Sequence, residues 1–338
     1  MNFSVQHALG SYTVHCEKGA LSRIGEYFAL DRRVLIVTDA GVPAQYAKTV
    51  AKACQSPTIV TVAEGEGSKS IATMEMLCKT MLDKSFTRTD CVVAVGGGVV
   101  GDLACFAASV YMRGIDFYNV PTTVLSAVDS SVGGKSGVNF EGTKNILGSF
   151  YQPKGVLFDA DVLETLPARQ IAAGLAEAIK MALTFDASLF EAFEKNDVAD
   201  YESLIFRAVQ LKAAVVEKDE REGGIRKTLN FGHTFGHAVE AAGDLGLLYH
   251  GECVALGMIP FCSEAVYKRL YDVLKRFGLP TALPLDVEKT IPYLSHDKKW
   301  GKHGVDCIFV PKVGEYEIVP LSKEALIETI EKAKNRFI

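Results

Sequence analysis

Three of the seven histidines fall between positions 233 and 250, and their types and spacing are suited to holding a metal ion. His233 and His237 are four apart in the stretch LNFGHTFGHAVE, which reads as helix, so both rings leave from one face. His250 follows a short glycine-containing connection that can fold back toward that face. Clustered imidazoles, often with one carboxylate, are the commonest protein ligands of divalent transition metals. A solvated helix can carry two histidines at this spacing by chance, so the third one adds weight. In GLAEAIK, Glu177 and Lys180 project from one face of a helix with small, apolar neighbours. A carboxylate there needs a partner, and spacing alone leaves open whether it is the lysine or a metal.

A second group of residues has the chemistry to meet a nucleotide. Gly96-Gly97-Gly98-Val99-Val100-Gly101-Asp102 follows an apolar strand and opens a helix. Glycines in that position let the backbone approach a pyrophosphate, and the helix N-terminus stabilises its charge. A tight structural turn would use the same residues. Asp39 ends the first strong strand, where a carboxylate can take ribose hydroxyls. Glu66 and Lys69 flank a polar turn, and Thr122 and Thr123 follow another strand. All lie at carboxyl ends of strands, where open α/β sheets bind ligands. Two glycine-rich segments, Asp129 to Lys135 and Gly142 to Asn145, carry lysines and polar groups suited to an anion and read as loops.

The elements that must position these groups differ between the two halves of the chain. Residues 34–38, 58–62 and 91–95 are short β-branched runs apolar on both faces, and 117–120 and 155–158 repeat the pattern weakly. Helical stretches near 43–54, 70–84 and 101–112 lie between them. That alternation indicates a parallel sheet covered on both sides, an α/β Rossmann-like N-terminal domain over 1–166. From Pro167, which suits a first helical turn, the chain reads as mainly helix: 167–184, 187–195, 201–220, 229–243, 251–270 and the tail after Ser322. A hairpin near 307–319 interrupts this α-helical domain of 167–338.

Composition excludes several classes. The 338 residues are 48% hydrophobic and 23% charged, ample for more than one core. A net charge of −5 without a basic run argues against nucleic acid. The first twenty residues lack a basic leader with an apolar core, so no signal peptide is expected. The most apolar stretch, 91–112, contains four glycines and Asp102, which argues against a membrane span. Eight cysteines are scattered without a C-x-x-C pair, as in a reducing cytoplasm, and Cys91, Cys105 and Cys253 read as core residues.

The motifs in order, GGGVVGDLACFAASVYMRGI, VPTTVLSAVDSSVGGKSGVN, KNILGSFYQP, GLAEAIK, LNFGHTFGHAVE, HGECVALGM and DKK, closely resemble the 3-dehydroquinate synthase family. The resemblance runs from about residue 30 to the end and is densest over 91–259. It implies an NAD-binding domain, a helical domain, an active site formed by both, and zinc (or cobalt) held by Glu177, His233 and His250. The spacing would have made His233 and His237 joint ligands, whereas the family pattern puts His237 beside a substrate phosphate. Lys135, Asn145 and Lys298, in Asp297-Lys298-Lys299, match the same phosphate site. Arg113 matches an arginine that reaches phosphate from a neighbouring subunit, which implies a homodimer. Lys212 and Arg226 match cations for the substrate carboxylate, and Asn230 a hydroxyl contact. Asp129, Lys144 and Lys180 match polar groups around the reacting carbons and cofactor. Asp39, Glu66, Lys69, Gly97, Gly98, Asp102, Thr122, Thr123 and Lys144 match the NAD contacts.

The implied reaction takes 3-deoxy-D-arabino-heptulosonate 7-phosphate to 3-dehydroquinate and phosphate. It proceeds by oxidation with NAD, loss of phosphate, re-reduction, ring opening and aldol closure. A 2-deoxy-scyllo-inosose synthase would share cofactor and metal but not the carboxylate cations Lys212 and Arg226. A metal-dependent alcohol dehydrogenase of related architecture would release NADH.

Overall fold

A computed structural model describes residues 1–195, 201–243, 247–294 and 304–337. The chain divides into two compact units, Met1–Leu166 and Pro167–Ile338. The first carries a seven-stranded sheet in the order β1-β2-β9-β6-β5-β3-β4. Its strands are β1 (Asn2–His7), β2 (Gly10–Cys16), β3 (Arg33–Asp39), β4 (Ser56–Val62), β5 (Cys91–Gly96), β6 (Asp116–Pro121) and β9 (Gly155–Phe158). Only β1 and β2 pair antiparallel; every other neighbour is parallel.

The apolar runs of β3 and β5 explain their central place. Leu35, Val37, Val92 and Ala94 enter one core cluster, packed by Leu77 and Met81 of α2 (Ile71–Asp83) and Leu103 of α3 (Gly98–Val110). Side chains alternate across a strand, so Ile36 and Val93 point the other way, and they too are fully buried. Both faces of the sheet are therefore covered, as a parallel sheet requires. β4 is an edge strand, with Ile59 partly exposed and Pro57 tolerated there. α1 (Ala44–Lys52) follows β3.

Of the two segments read as glycine-rich loops, residues 129–134 run from a π-turn through a bend, whereas Lys135 and Thr143–Asn145 belong to a separate antiparallel hairpin, β7 (Lys135–Phe140) and β8 (Thr143–Phe150). Its glycines serve close strand approach: a Cβ on Gly148 would sit 2.0 Å from the carbonyl oxygen of Ser136. The β1–β2 hairpin has no counterpart in the sequence reading, because NFSVQH and GSYTVHC mix polar residues with single apolar ones.

The second unit contains α4 (Ala168–Phe185), α5 (Ala187–Lys195), α6 (Tyr201–Lys218), α7 (His233–Ala242), α8 (His250–Met258), α9 (Glu264–Arg276), the single turn α10 (Ile291–Leu294) and α11 (Lys323–Lys332). A two-stranded ribbon, β10 (Val305–Lys312) and β11 (Glu315–Leu321), interrupts them. The single helix expected over 251–270 is two. Pro260 lacks the N–H that would continue α8, a 3-10 turn follows, and the Ser263 side chain then caps α9 by accepting from the Val266 N–H. Likewise α7 starts only at His233, after a 3-10 turn over Ile225–Asn230. All eight cysteines are free, and Cys91, Cys105 and Cys253 are buried. Among the described residues no helix is long and apolar enough to cross a membrane.

Candidate functional site

Small residues bring α4, α7 and α8 into backbone contact, and that contact builds a cluster of histidines that could hold a metal ion. A Cβ on Gly251 of α8 would lie 1.8 Å from the carbonyl oxygen of Ala173 in α4. One on Gly257 would lie 1.8 Å from the carbonyl oxygen of Gly232, just before α7. Glycine alone permits both approaches. Glu177 projects from α4 one turn after Ala173, His233 and His237 from α7, and His250 from the first residue of α8. The entry to α8 is fixed by a second device. Glu252 accepts two hydrogen bonds from Arg169 at 2.7 and 2.8 Å and a third from the Tyr249 N–H at 2.7 Å.

The three imidazoles offer nitrogens that all lie within 4.8 Å of one another. The Nε2 atoms of His233 and His250 are 3.5 and 3.7 Å from Oε1 of Glu177. That carboxylate is fully buried, yet Oε1 accepts no hydrogen bond from the described residues. Its other oxygen is in close ion-pair contact with Nζ of the buried Lys180, which also donates to the Leu229 carbonyl at 2.6 Å. Two ligands of a tetrahedral divalent ion at about 2.0–2.2 Å lie roughly 3.3–3.6 Å apart, close to the separations found. A buried carboxylate oxygen facing two imidazole nitrogens at that spacing fits a metal. The remaining ring nitrogens are also engaged: Nδ1 of His233 lies 3.1 Å from the Phe231 carbonyl, and Nδ1 of His250 3.1 Å from Oε2 of Glu240. Acceptors at Nδ1 orient such rings so that Nε2 is the nitrogen that would coordinate a metal.

The electrostatics agree. Burial alone would raise the Glu177 carboxyl, but Lys180 and His250 outweigh it and hold it at about 2. For His250, burial opposes the charged form, yet Glu177 and Glu240 raise it to about 9. The cluster is therefore built to hold positive charge.

Besides Lys180, two further cations are buried in the same unit among the described residues. Lys212 of α6 and Arg226 of the 3-10 turn are 5% and 2% exposed. Asp219 pins the turn through the N–H groups of Gly223, Gly224 and Arg226, and the Arg226 guanidinium donates to the Glu220 carbonyl. Asn230 donates to Glu222 at 2.7 Å. Lys298 and Lys299 lie outside the described residues.

In the first unit the glycine turn ends β5 and opens α3. Gly97 caps α3, which begins at Gly98, three residues earlier than the sequence suggests, so its first N–H groups belong to glycine and small apolar residues. A Cβ on Gly98 would come within 3.2 Å of the Ser130 hydroxyl. The Thr122 N–H donates to the Gly96 carbonyl at 3.0 Å, and Thr123 Oγ1 accepts from the Ser126 N–H. Lys69 pairs with Asp102 at 2.6 Å and also donates to Asn145, which sits on the hairpin at φ 52. Burial lifts the Asp102 carboxyl above its ordinary value despite Lys69. Glu66 accepts from Asn139 of the same hairpin at 2.9 Å. Asp39 accepts from the N–H groups of Gly41 and Val42. Asp129 lies in a π-turn over Ser126–Ser130, Lys135 opens β7 and Lys144 lies in β8. Arg113 is exposed on a turn where it and Met112 both have positive φ.

Sequence reasoning missed Glu240, Glu222 and the Arg169–Glu252 pair. Only Glu240 left a readable signal, seven residues after His233 and so on the same helical face.

Comparison with known proteins gives concordant results. A family model described as 3-dehydroquinate synthase N-terminal matches residues 59–173, and one described as 3-dehydroquinate synthase C-terminal matches 174–300. A 3-dehydroquinate synthase of Streptococcus thermophilus is 38% identical, over 98% of this chain and all of the relative. Among solved structures, a 2-deoxy-scyllo-inosose synthase complexed with carbaglucose-6-phosphate, NAD+ and Co2+ superposes with a TM-score of 0.89 at 27% identity, covering 98% of this chain and 100% of that one. A 2-epi-5-epi-valiolone synthase from Streptomyces hygroscopicus, with NAD+ and Zn2+ bound, reaches 0.87 at 27% identity, covering 99% of each chain.

Proposed function

The chain belongs to the 3-dehydroquinate synthase family, and on that premise we propose how its residues divide the work of converting 3-deoxy-D-arabino-heptulosonate 7-phosphate to 3-dehydroquinate and phosphate. It is a carbon–oxygen lyase that uses NAD and a divalent metal. The observation that carries the reading is the buried Oε1 of Glu177 facing Nε2 of both His233 and His250. Those three residues are the metal ligands. When bound, NAD supplies a reversible hydride acceptor and the metal a Lewis acid that polarises a substrate hydroxyl.

Lys180 holds Glu177 in place from the side away from the histidines. Lys212 and Arg226 take the substrate carboxylate, and Asn230, fixed by Glu222, takes a hydroxyl. Lys135, Asn145, His237 and Lys298 take the phosphate. Asp129 and Lys144 stand around the reacting carbons. Asp39, Glu66, Lys69, Asp102, Thr122 and Thr123, with the backbone of Gly97 and Gly98 and the Lys144 side chain, hold the dinucleotide. The convergence of cations in a net acidic chain follows from a substrate that carries both phosphate and carboxylate.

The chain acts as a homodimer in which Arg113 serves the neighbouring subunit's phosphate site. Its exposure supports this, as do exposed Phe140, Ile146 and Phe150 on the hairpin, which a partner surface would cover. Eight free thiols suit a reducing cytoplasm.

Substrate choice tests the reading. Phosphate release from the heptulosonate phosphate should exceed that from glucose 6-phosphate, which lacks a carboxylate, by at least about 100-fold, the discrimination expected when buried polar groups lose their partner. Comparable or better turnover of glucose 6-phosphate would place the chain with the 2-deoxy-scyllo-inosose synthases.

A further inference from the structure

We infer that Glu240 is the positioning residue of the metal centre: it orients and polarises His250 so that Nε2 of that ring faces the ion. The inference rests on Glu177, His233 and His250 being the ligands, and extends that reading to a residue outside the ligand set. Glu240 lies seven residues after His233 on α7, two turns along the same face, and so reaches the start of α8. Its Oε2 is 3.1 Å from Nδ1 of His250, while Nε2 of the same ring is 3.7 Å from Oε1 of Glu177. His250 thus stands between two carboxylates, one fully buried and one a quarter exposed.

A neutral imidazole has one N–H and one lone pair. Once a metal ion takes the place of the second proton, the carboxylate at Nδ1 keeps the remaining proton there, and the Nε2 lone pair is offered to the ion on the side of Glu177. The other histidine shows the same arrangement by different means, because Nδ1 of His233 faces the Phe231 carbonyl at 3.1 Å. There the acceptor is backbone and no substitution removes it; at His250 it is a side chain. Charge adds a second reason. Lys180 is in ion-pair contact with Glu177, so one ligand carboxylate is already offset by a buried ammonium. Glu240 restores negative charge behind the ligand set, which favours a divalent cation and makes the imidazole a stronger donor.

The test uses the full-length protein, stripped of metal and titrated with Zn2+ against a chromogenic chelator. Glu240→Ala should weaken Zn2+ roughly 10- to 100-fold. Glu240→Gln keeps an acceptor oxygen but loses the charge, so its loss should be smaller, about several-fold, and measurable. The Co2+-loaded protein should show a changed visible absorption spectrum in Glu240→Ala and a nearly wild-type one in Glu240→Gln. The melting temperature of the metal-free protein should stay within a few degrees of wild type, because a part-exposed ion pair contributes little to stability. Wild-type Zn2+ affinity in Glu240→Ala, with affinity lost in His250→Ala, would overturn the inference and leave the ligand assignment standing. Wild-type affinity in His250→Ala would overturn the assignment itself, and the inference with it. If Glu240→Ala fails to fold, Glu240→Gln decides: a several-fold loss supports the role, and none overturns it.

Discussion

His250→Ala should remove the bound divalent metal and the activity together, whereas His237→Ala should keep the metal and slow turnover. The expectation comes from which atoms face Glu177. Nε2 of His250 and of His233 lie 3.7 and 3.5 Å from its buried Oε1, and each ring has an acceptor on the opposite nitrogen. Loss of one of three protein ligands should leave metal unretained through gel filtration. Activity should fall by roughly 10²- to 10⁴-fold, the rate equivalent of several kcal/mol of Lewis-acid stabilisation. His237 is close enough to be considered a ligand, since its ring centroid is 5.4 Å from that of His233. Its assigned partner is the phosphate, and a lost charge-assisted hydrogen bond of about 1.5–3 kcal/mol corresponds to about 10- to 150-fold in kcat/KM. Elemental analysis of the two purified variants separates the roles. Normal metal in the His250 variant, or none in the His237 variant, would reverse them.

Arg226→Ala should lower kcat/KM for the heptulosonate phosphate by about 2–5 kcal/mol, or roughly 30- to 5,000-fold, because the substrate carboxylate is left poorly paired. Arg226 is only 2% exposed, in a turn that Asp219 holds through three backbone N–H groups. The same side chain donates to the Glu220 carbonyl, so part of any loss could come from the turn loosening. NAD affinity separates such a local defect from general damage to the protein. The residues assigned to the dinucleotide all belong to Met1–Leu166, and a variant defective only in carboxylate recognition should bind NAD within about twofold of wild type. Near-normal kcat/KM would show that the carboxylate is held elsewhere.

What the sequence made legible followed from strong periodic signals. β3, β5 and the helices flanking them were readable because VLIVT and CVVAV are apolar on both faces and bounded by turn residues. The β7–β8 hairpin was not, since its glycines permit close strand approach, a function that composition does not distinguish from a loop. The break between α8 and α9 was marked by Pro260 and Ser263, but continuous apolar periodicity over 251–270 hid it. At the metal centre, spacing brought out His233, His237 and His250 and left Glu177 open between Lys180 and a metal, and the resemblance singled out Glu177, His233 and His250 as the ligands. The reason the four meet lies in Gly251 and Gly257, whose contacts with Ala173 and Gly232 join parts of the chain far apart in sequence. Long-range backbone contacts of that kind leave no local pattern.

The most direct test of the reaction is the fate of the cofactor. The metal-loaded protein is mixed with the heptulosonate phosphate and NAD at less than one-hundredth of the substrate concentration. Released phosphate and absorbance of reduced nicotinamide are followed together. Many phosphates should be released per NAD, with no net accumulation of NADH, because the hydride taken early in the cycle is returned before product leaves. Phosphate release that stops after one equivalent of NAD, or NADH rising in proportion to product, would contradict the cyclase reaction and point to a dehydrogenase.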